Sequence, residues 1–194
     1  MGRTKQYDRA DLLDRAVELF RRQGFNGTST AELVDGLGVN RKTMYAEFGS
    51  KQDLFEATLE HYDRNHLTRV IGPLEAPDAG ADTIREAFAG YAAASDGWAK
   101  GKGCLMCNTA VERGALDAGT GRFVDGYLHR LDRAFRNALG NAQRGGDLSA
   151  AADIGELAAY FTTALIGVAA SIRAEASPDQ VHAACRVATS VLDR

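Results

Sequence analysis

Apolar residues recur every three to four positions along most of the chain, which is the spacing of one buried face of an α-helix. The first such segment covers residues 9–22, and Gly24, which follows it, predicts the end of this helix. No segment alternates apolar and polar residues with the period of two that is typical of a strand, so the pattern predicts an all-α protein. The first segment, residues 9–22, forms its apolar face from Leu12, Leu13, Ala16, Val17, Leu19 and Phe20.

Two short helices separated by a tight turn are predicted next. A Ser-x-x-Glu capping box begins at Ser29 and places a second helix at residues 30–37. Gly38 can adopt the left-handed conformation that a sharp turn requires, and Asn40 can cap a third helix at residues 41–48. Two helices that meet at such a turn form a helix-turn-helix, although ordinary corners of helical proteins share this generic pattern.

Longer helices are predicted for the rest of the chain. Ser50 caps a fourth helix that reaches about residue 70, where Pro73 and Pro77 are expected to end it. Glycine-bearing breaks are predicted at residues 95–103 and 114–121. The sequence therefore predicts about nine helices, of which the last five cover residues 82–94, 104–113, 122–142, 149–174 and 178–192.

The composition is that of a soluble globular protein. The chain has 194 residues, of which 45% are hydrophobic and 25% charged, so it is long enough for one large domain or two small ones. Three cysteines and an N-terminus without an apolar leader favour a reducing, cytoplasmic location. The most apolar stretch, residues 158–172, is too short to span a membrane, so we expect no membrane partner.

Charge is distributed unevenly along a chain whose net charge is -3. Residues 1–51 contain nine basic and seven acidic residues, whereas the remainder contains 14 basic and 19 acidic ones. The N-terminal segment is thus the more basic, which favours this end as the one that meets DNA.

The candidate DNA-binding residues lie at and around the third helix. Arg41, Lys42 and Thr43 open this helix, where side chains can enter a major groove and bond to base edges. Neighbouring residues offer hydroxyls, amides or charge that can position the helix on phosphates. This second group consists of Thr28, Ser29, Asn40, Tyr45 and Lys51.

Residues 9–58 resemble the DNA-reading unit of the tetracycline-repressor (TetR) family. The resemblance is strongest over FNGTSTAELV at residues 25–34 and LGVNRKTMYAEFGSKQDLF at residues 37–55. Val34 stands where the family usually has a small alanine, and Lys42 where glycine is common, so the packing of the second helix and the DNA contacts are expected to differ. The matching positions are Gly38, Val39, Thr43, Met44, Tyr45, Phe48, Ser50 and Lys51.

The resemblance implies a DNA-binding domain at residues 1–52 and a helical ligand-binding and dimerisation domain at residues 53–194. In this family an effector releases the dimer from a palindromic operator, here by a shift of the fourth helix; activation rather than repression is an alternative. The last two helices carry apolar stripes that could form the interface or only the core of one subunit. These stripes contain Leu157, Phe161, Leu165, Val168, Ile172, Val181, Val187, Val191 and Leu192.

Aromatic and soft side chains of the C-terminal domain could surround an apolar effector of unknown class. Asn108 and Glu112 could supply polar anchors for it. The same side chains could equally be plain core residues. The candidate pocket residues are Phe88, Tyr91, Trp98, Met106, Phe123, Tyr127 and Phe161.

Residues 103–112 resemble a Gly-Cys-Leu-x-x-Asn-x-x-x-Glu motif of one branch of the family. Cys104 would start a helix, whose dipole favours a thiolate, so Cys104 with Cys107 is a candidate redox or electrophile sensor. The alternative is that both thiols are inert and buried.

Enzymatic and metal-binding functions lack support. Cys104 and Cys107 could pair with His182 and Cys185 in a four-ligand set, but the two pairs lie on distant predicted helices, so we expect no metal and no cofactor. Nucleophile elbows, phosphate loops and paired catalytic carboxylates are absent from the sequence, so we expect no enzyme.

Overall fold

The computed structural model describes residues 7–112 and 118–193, and in these ranges its regular structure is entirely helical. A π-helical segment, Asp63–Leu67, joins the fourth and fifth helices, and a 3₁₀ turn, Ser190–Asp193, ends the described chain. The α-helices are α1 (Arg9–Gly27), α2 (Thr30–Leu37), α3 (Arg41–Phe48), α4 (Lys51–Tyr62), α5 (Thr68–Glu75), α6 (Ala81–Ser95), α7 (Leu105–Val111), α8 (Ala118–Gly145), α9 (Ile154–Arg173) and α10 (Pro178–Thr189).

The N-terminal helices follow the sequence pattern closely. The bounds of α2 and α3 are the predicted ones, and the path of α1 breaks at Gly24, where φ is +75°, before it continues to Gly27. The predicted apolar face of α1 packs on α4, where the rings of Phe20 and Phe55 meet edge to face at 4.8 Å. The contact between α1 and α4 forms the core on which the short helices α2 and α3 rest.

The fourth predicted helix is longer than expected. It runs through α4, the π-helical segment and α5 to Glu75, so the prediction that Pro73 ends it near residue 70 is wrong. Ile71 and Leu74 flank the proline and are buried where α5 packs on α8, and this packing holds one further turn. Counted as one helix, these three segments give nine helices in the described ranges, as predicted.

Among the remaining helices, the bounds that differ most from the predictions are the starts of α8 and α9. α8 begins at Ala118, so part of the break predicted at residues 114–121 is helical, while residues 113–117 lie outside the described ranges. α9 begins at Ile154 instead of residue 149, because the carboxylate of Asp153 caps it by accepting a bond from the Glu156 amide at 3.0 Å.

Three phenylalanines form the centre of the C-terminal body. The Phe161 ring of α9 lies 5.7 Å from Phe88 of α6 and 5.5 Å from Phe135 of α8, measured between centroids. All three side chains are fully buried. This cluster joins α6, α8 and α9, and a cavity remains on the side of α6 that faces α1, α5 and α7.

Candidate functional site

The turn between α2 and α3 has the geometry of a helix-turn-helix. Gly38 adopts the left-handed conformation, with φ of +67°, which a residue with a side chain rarely accepts. Arg15 of α1 donates a hydrogen bond of 3.1 Å to the carbonyl of Leu37, at the last residue of α2. The turn is therefore held against α1 and the direction of α3 is fixed.

The two faces of α3 have opposite character. Met44 and Phe48 are buried, and the Asn40 side chain caps the helix by accepting a bond of 2.8 Å from the Thr43 amide. On the other face Arg41 and Lys42 are exposed. This face presents two exposed cations in the first turn of the helix, an arrangement suited to a DNA groove.

Two of the predicted phosphate ligands already have local partners. Thr28 is buried, and its hydroxyl donates a bond of 2.6 Å to the Gly24 carbonyl. Ser29 and Glu32 form the predicted capping box, with the Glu32 carboxylate accepting from the Ser29 amide at 2.7 Å. A phosphate contact by either hydroxyl would require these bonds to rearrange, so both residues serve the folding of α2 in this structure.

Aromatic rings hold two further candidate residues. The Arg41 guanidinium lies 5.5 Å from the Tyr45 ring centre, and the Lys51 ammonium lies 4.3 Å from that of Phe25. Burial lowers the pKa of Lys51, while the carboxylates of Glu112 and Glu32 act in the opposite direction. Lys51 thus lies at the start of α4, next to the helix-turn-helix, and within reach of the charge of Glu112 at the end of α7.

A cavity of about 570 Å³ lies in the body of the protein, within the size range of small-molecule sites. It is bounded by α1, α4, the π-helical segment, α5, α6 and the start of α7. Its wall contains Glu18, Arg21, Tyr62, His66, Leu67, Arg69, Val70, Pro73, Thr83, Glu86, Ala87, Gly90, Tyr91, Ala94, Trp98, Ala99, Gly103, Cys104 and Ile172.

The cavity wall combines aromatic rings with a buried cation. The Arg21 guanidinium lies 4.9 Å from the Trp98 ring centre and 6.0 Å from that of Tyr62. Burial, and next the positive charge of Arg21, lower the pKa of His66 and so favour its uncharged form. Such a wall can stack on a planar ligand and offer it hydrogen bonds.

The structure separates the predicted pocket residues into two groups. Tyr91 and Trp98 line the cavity, whereas Phe88 and Phe161 pack in the core cluster. Met106, Phe123 and Tyr127 also lie outside the cavity wall, and Asn108 and Glu112 bond to α1 instead.

Sequence reasoning missed several lining residues. Tyr62 and His66 are four positions apart on one helical face, with ring centroids 4.9 Å apart, and this spacing was the available signal. No sequence pattern connects Arg21, on the first helix, with a cavity in the C-terminal body.

Cys104 and Cys107 belong to a buried group of polar side chains next to the cavity. The Cys107 thiol lies 3.2 Å from the Tyr127 hydroxyl, and Cys104 itself lines the cavity. Hydrogen bonds from the Cys107 thiol and amide and from the Tyr62 hydroxyl lower the pKa of Cys104 to about 6, although burial acts in the opposite direction. The Cys107 pKa is raised, first by its bond to Cys104 and then by burial.

The second half of the four-ligand pattern lies elsewhere. His182 bonds to the Asp96 carboxylate at 3.0 Å, and Cys185 is buried on α10. Within residues 7–112 and 118–193, no three His, Cys, Asp or Glu side chains come close enough to hold a metal ion together.

Two family models match the chain. Residues 12–58 match that of the bacterial regulatory proteins of the tetR family, and residues 80–188 match a tetracyclin repressor-like C-terminal domain. Together they cover the helix-turn-helix of α2 and α3 and most of the helical body.

Curated relatives are regulators of transcription. The uncharacterized HTH-type transcriptional regulator YezE of Bacillus subtilis is 31% identical over 194 residues, which is 100% of both chains. The HTH-type transcriptional repressor ComR of Escherichia coli is 29% identical over 187 residues, with 93% of this chain and 86% of that protein covered.

Solved structures share the fold. A cysteine mutant of the TetR family regulator CifR, complexed with 26-bp double-strand operator DNA, matches with a TM-score of 0.80 and 25% identity, over 96% of this chain and 98% of the other. The regulatory protein TetR from Rhodobacter sphaeroides matches with a TM-score of 0.78 and 24% identity, over 93% and 96% of the two chains.

Proposed function

The chain belongs to the TetR family of bacterial regulatory proteins, and from this premise we propose that it is a dimeric repressor which a small effector releases from a palindromic operator. It is a DNA-binding transcriptional regulator and not an enzyme. Repression is favoured by the relative ComR, which is a repressor. Activation is the alternative, and it depends on where the operator lies relative to the promoter.

The exposed face of α3 is the observation that carries the proposal. Arg41, Lys42 and Thr43 occupy the first turn of a short helix that follows a glycine turn. In helix-turn-helix proteins the N-terminal residues of the second helix contact base edges. We assign base reading to these three residues, and phosphate contacts to Tyr45 and Lys51, with Thr28, Ser29 and Asn40 shaping the helix ends.

The last two helices are proposed to form the dimer interface. The most apolar 18-residue window of α9 has a mean hydropathy of 1.4, yet only 28% of it is buried within the subunit. The prediction that this apolar stretch is too short to span a membrane is wrong for α9, because the helix has 20 residues and by length and composition alone could cross one. Phe161, Leu165 and Ile172 are, however, buried against the rest of the subunit. Because those three residues face inward, we assign the interface to the opposite face.

Exposed apolar side chains support this interface. Tyr160 of α9 is 42% exposed and Val187 of α10 is 69% exposed, and the Tyr160 hydroxyl donates to the Ala188 carbonyl of α10 at 3.3 Å. A second copy would cover both side chains in a four-helix arrangement. A soluble dimer of this kind is expected in the cytoplasm, where its operator lies.

We assign effector binding to the cavity of about 570 Å³. The rings of Tyr62, Tyr91 and Trp98 offer stacking surfaces, and charged side chains of both signs line the same wall. A small molecule with a planar part and at least one hydrogen-bonding group fits this lining.

Thiol sensing at Cys104 is a second candidate function. Its low pKa and its place in the cavity wall favour it, because a thiolate is the reactive form. A peroxide would oxidise this thiolate to sulfenic acid and release hydroxide, and Cys107 could then displace water to form a disulfide. If operator release by hydrogen peroxide is the same in Cys104→Ser as in the unsubstituted protein, this candidate is wrong.

A mobility-shift titration tests the proposed function. The purified protein is titrated onto DNA from upstream of its own gene at fixed near-physiological salt, with random DNA as competitor. A shift that survives the competitor and maps to a palindrome supports the dimeric regulator. Equal binding to random DNA contradicts an operator in this region.

A further inference from the structure

Hydrogen bonds connect the start and the end of α7 to the last turns of α1. Arg21 donates to the Gly103 carbonyl through Nε at 3.1 Å and also through Nη2. In return, the Asn108 amide donates to the Arg21 carbonyl at 3.3 Å. The Phe25 amide donates to the Glu112 carboxylate at 3.1 Å. We call these five residues the α1–α7 clasp.

The clasp depends on a close approach at Gly24. A Cβ atom built at this position would lie 2.8 Å from Cδ of Glu112, so any side chain here would force the Glu112 carboxylate to shift. With φ of +75°, Gly24 also turns the backbone so that the amide of the next residue points at the carboxylate. The break in α1 and the end of α7 therefore fit each other specifically.

Charge extends the clasp to the DNA-reading end of the molecule. The Glu112 carboxylate lies 3.8 Å from the Arg173 guanidinium of α9, which also donates to the Arg21 carbonyl. Burial lowers the pKa of Lys51, whereas the charge of Glu112 acts to raise it, and the Lys51 ammonium lies over the Phe25 ring. A displacement of Glu112 thus removes a contact of the α1 backbone and changes the charge environment of Lys51.

The clasp also forms part of the cavity wall. Arg21 and Gly103 line the cavity together with Cys104, the residue that precedes α7. The Arg21 guanidinium, which is almost fully buried, lies between the Gly103 carbonyl and the Trp98 ring. A cavity occupant that moves Trp98 or Cys104 therefore acts on groups in direct contact with Arg21 or adjacent to its hydrogen-bond acceptor, Gly103.

We propose that the α1–α7 clasp transmits the state of the cavity to the DNA-reading helices. This rests on the proposed function, since it specifies how effector binding regulates operator binding. Coupling between two sites is reciprocal, so operator DNA that fixes α1 must also stabilise α7. This reciprocity allows a test without the effector.

Hydrogen–deuterium exchange, with and without the operator duplex, tests the clasp. In the unsubstituted protein, the operator should slow amide exchange in α7 (Leu105–Val111) at least fivefold, in addition to slowing it in α1–α3. In Asn108→Ala and Glu112→Gln, protection of α1–α3 should remain while protection of α7 falls below twofold. If the operator still protects α7 to the same extent in both variants, the clasp is overturned. Coupling between the cavity and the operator would then run through α4 instead.

Matched control variants separate coupling from general loss of stability. Asn137 resembles Asn108, because its amide donates to the carbonyls of Leu74 and Ala76 between two helices, remote from α1. Glu75 accepts bonds from Arg130 in the same region. Asn137→Ala and Glu75→Gln should retain operator-dependent protection of α7, and loss of it in these controls would also contradict the clasp.

The outcomes distinguish the two proposals. If the DNA duplex protects neither α1–α3 nor α7, the proposed operator-binding function fails, and the clasp fails with it. If the duplex protects α1–α3 of the unsubstituted protein but not α7, operator binding stands and the clasp alone is overturned.

Discussion

Single side chains on the DNA-reading surface differ in how free they are to contact DNA. Arg41 and Lys42 are exposed, whereas the Thr28 hydroxyl is buried in a bond to α1. Lys51 lies between these extremes, because its ammonium rests on an aromatic ring and is partly withdrawn from water. Residues of the same predicted class therefore have different roles, which only their local partners reveal.

Thr43 and Lys51 separate base reading from phosphate binding. Thr43→Ala should change which base is preferred at one operator position, with discrimination reduced by about 1 kcal/mol or more. Lys51→Ala should weaken binding to all sequences and lower the slope of log affinity against log salt by about 1. Titrations against operator point variants at several salt concentrations measure both effects. An equal loss on every sequence from both changes would contradict the assignment.

Cys104 should show an unusual dependence of its reactivity on pH. Since its pKa is lowered to about 6, its alkylation by iodoacetamide should rise through a midpoint near pH 6 and level off above it. Cys185 is the internal control, because burial raises its pKa and its midpoint should lie above that of an ordinary thiol. Mass spectrometry of the two peptides gives both profiles. A Cys104 midpoint above about pH 8 would refute the low pKa.

At the scale of helices, local signals in the sequence determine most of the short elements. Ser29, Gly38 and Asn40 act within a few residues, through caps and one left-handed turn, so α2 and α3 could be predicted to the residue. The continuation of the helix through Pro73 could not be predicted in this way. The residues next to Pro73 are buried against α8, and this burial outweighs the backbone hydrogen bond that proline cannot donate. Sequence predicts helix ends well where the residues that determine them are adjacent.

The faces of α9 and α10 lead to a prediction about assembly. Val187→Asp places a charge on the proposed interface, and burial of an unpaired charge should weaken dimerisation about a hundredfold or more. Sedimentation velocity over a range of concentrations measures this shift to monomers. Val111→Asp is the matched control, because Val111 is a similarly exposed valine on α7, at 73%. Dimerisation unaffected by Val187→Asp would place the interface elsewhere.

At the scale of the whole molecule, the cavity joins the two predicted domains. The division into residues 1–52 and 53–194 remains a prediction, and Arg21 of the first segment lines the cavity of the second. The motif at residues 103–112 illustrates what sequence could not provide. Its glycine, asparagine and glutamate contact residues of α1 that lie 82 to 87 positions away in sequence. That this motif marks one branch of the family also remains a prediction.

The central claim is that α3 reads the operator sequence, and fluorescence anisotropy of labelled duplexes tests it most directly. The unsubstituted protein should bind its operator about a thousandfold more tightly than a scrambled duplex of the same composition at fixed salt. The Arg41→Ala/Lys42→Ala variant should lose most of this preference, whereas Arg144→Ala, at the exposed end of α8, should retain it. Equal affinity of the unsubstituted protein for both duplexes, or full preference in the α3 variant, would contradict the account.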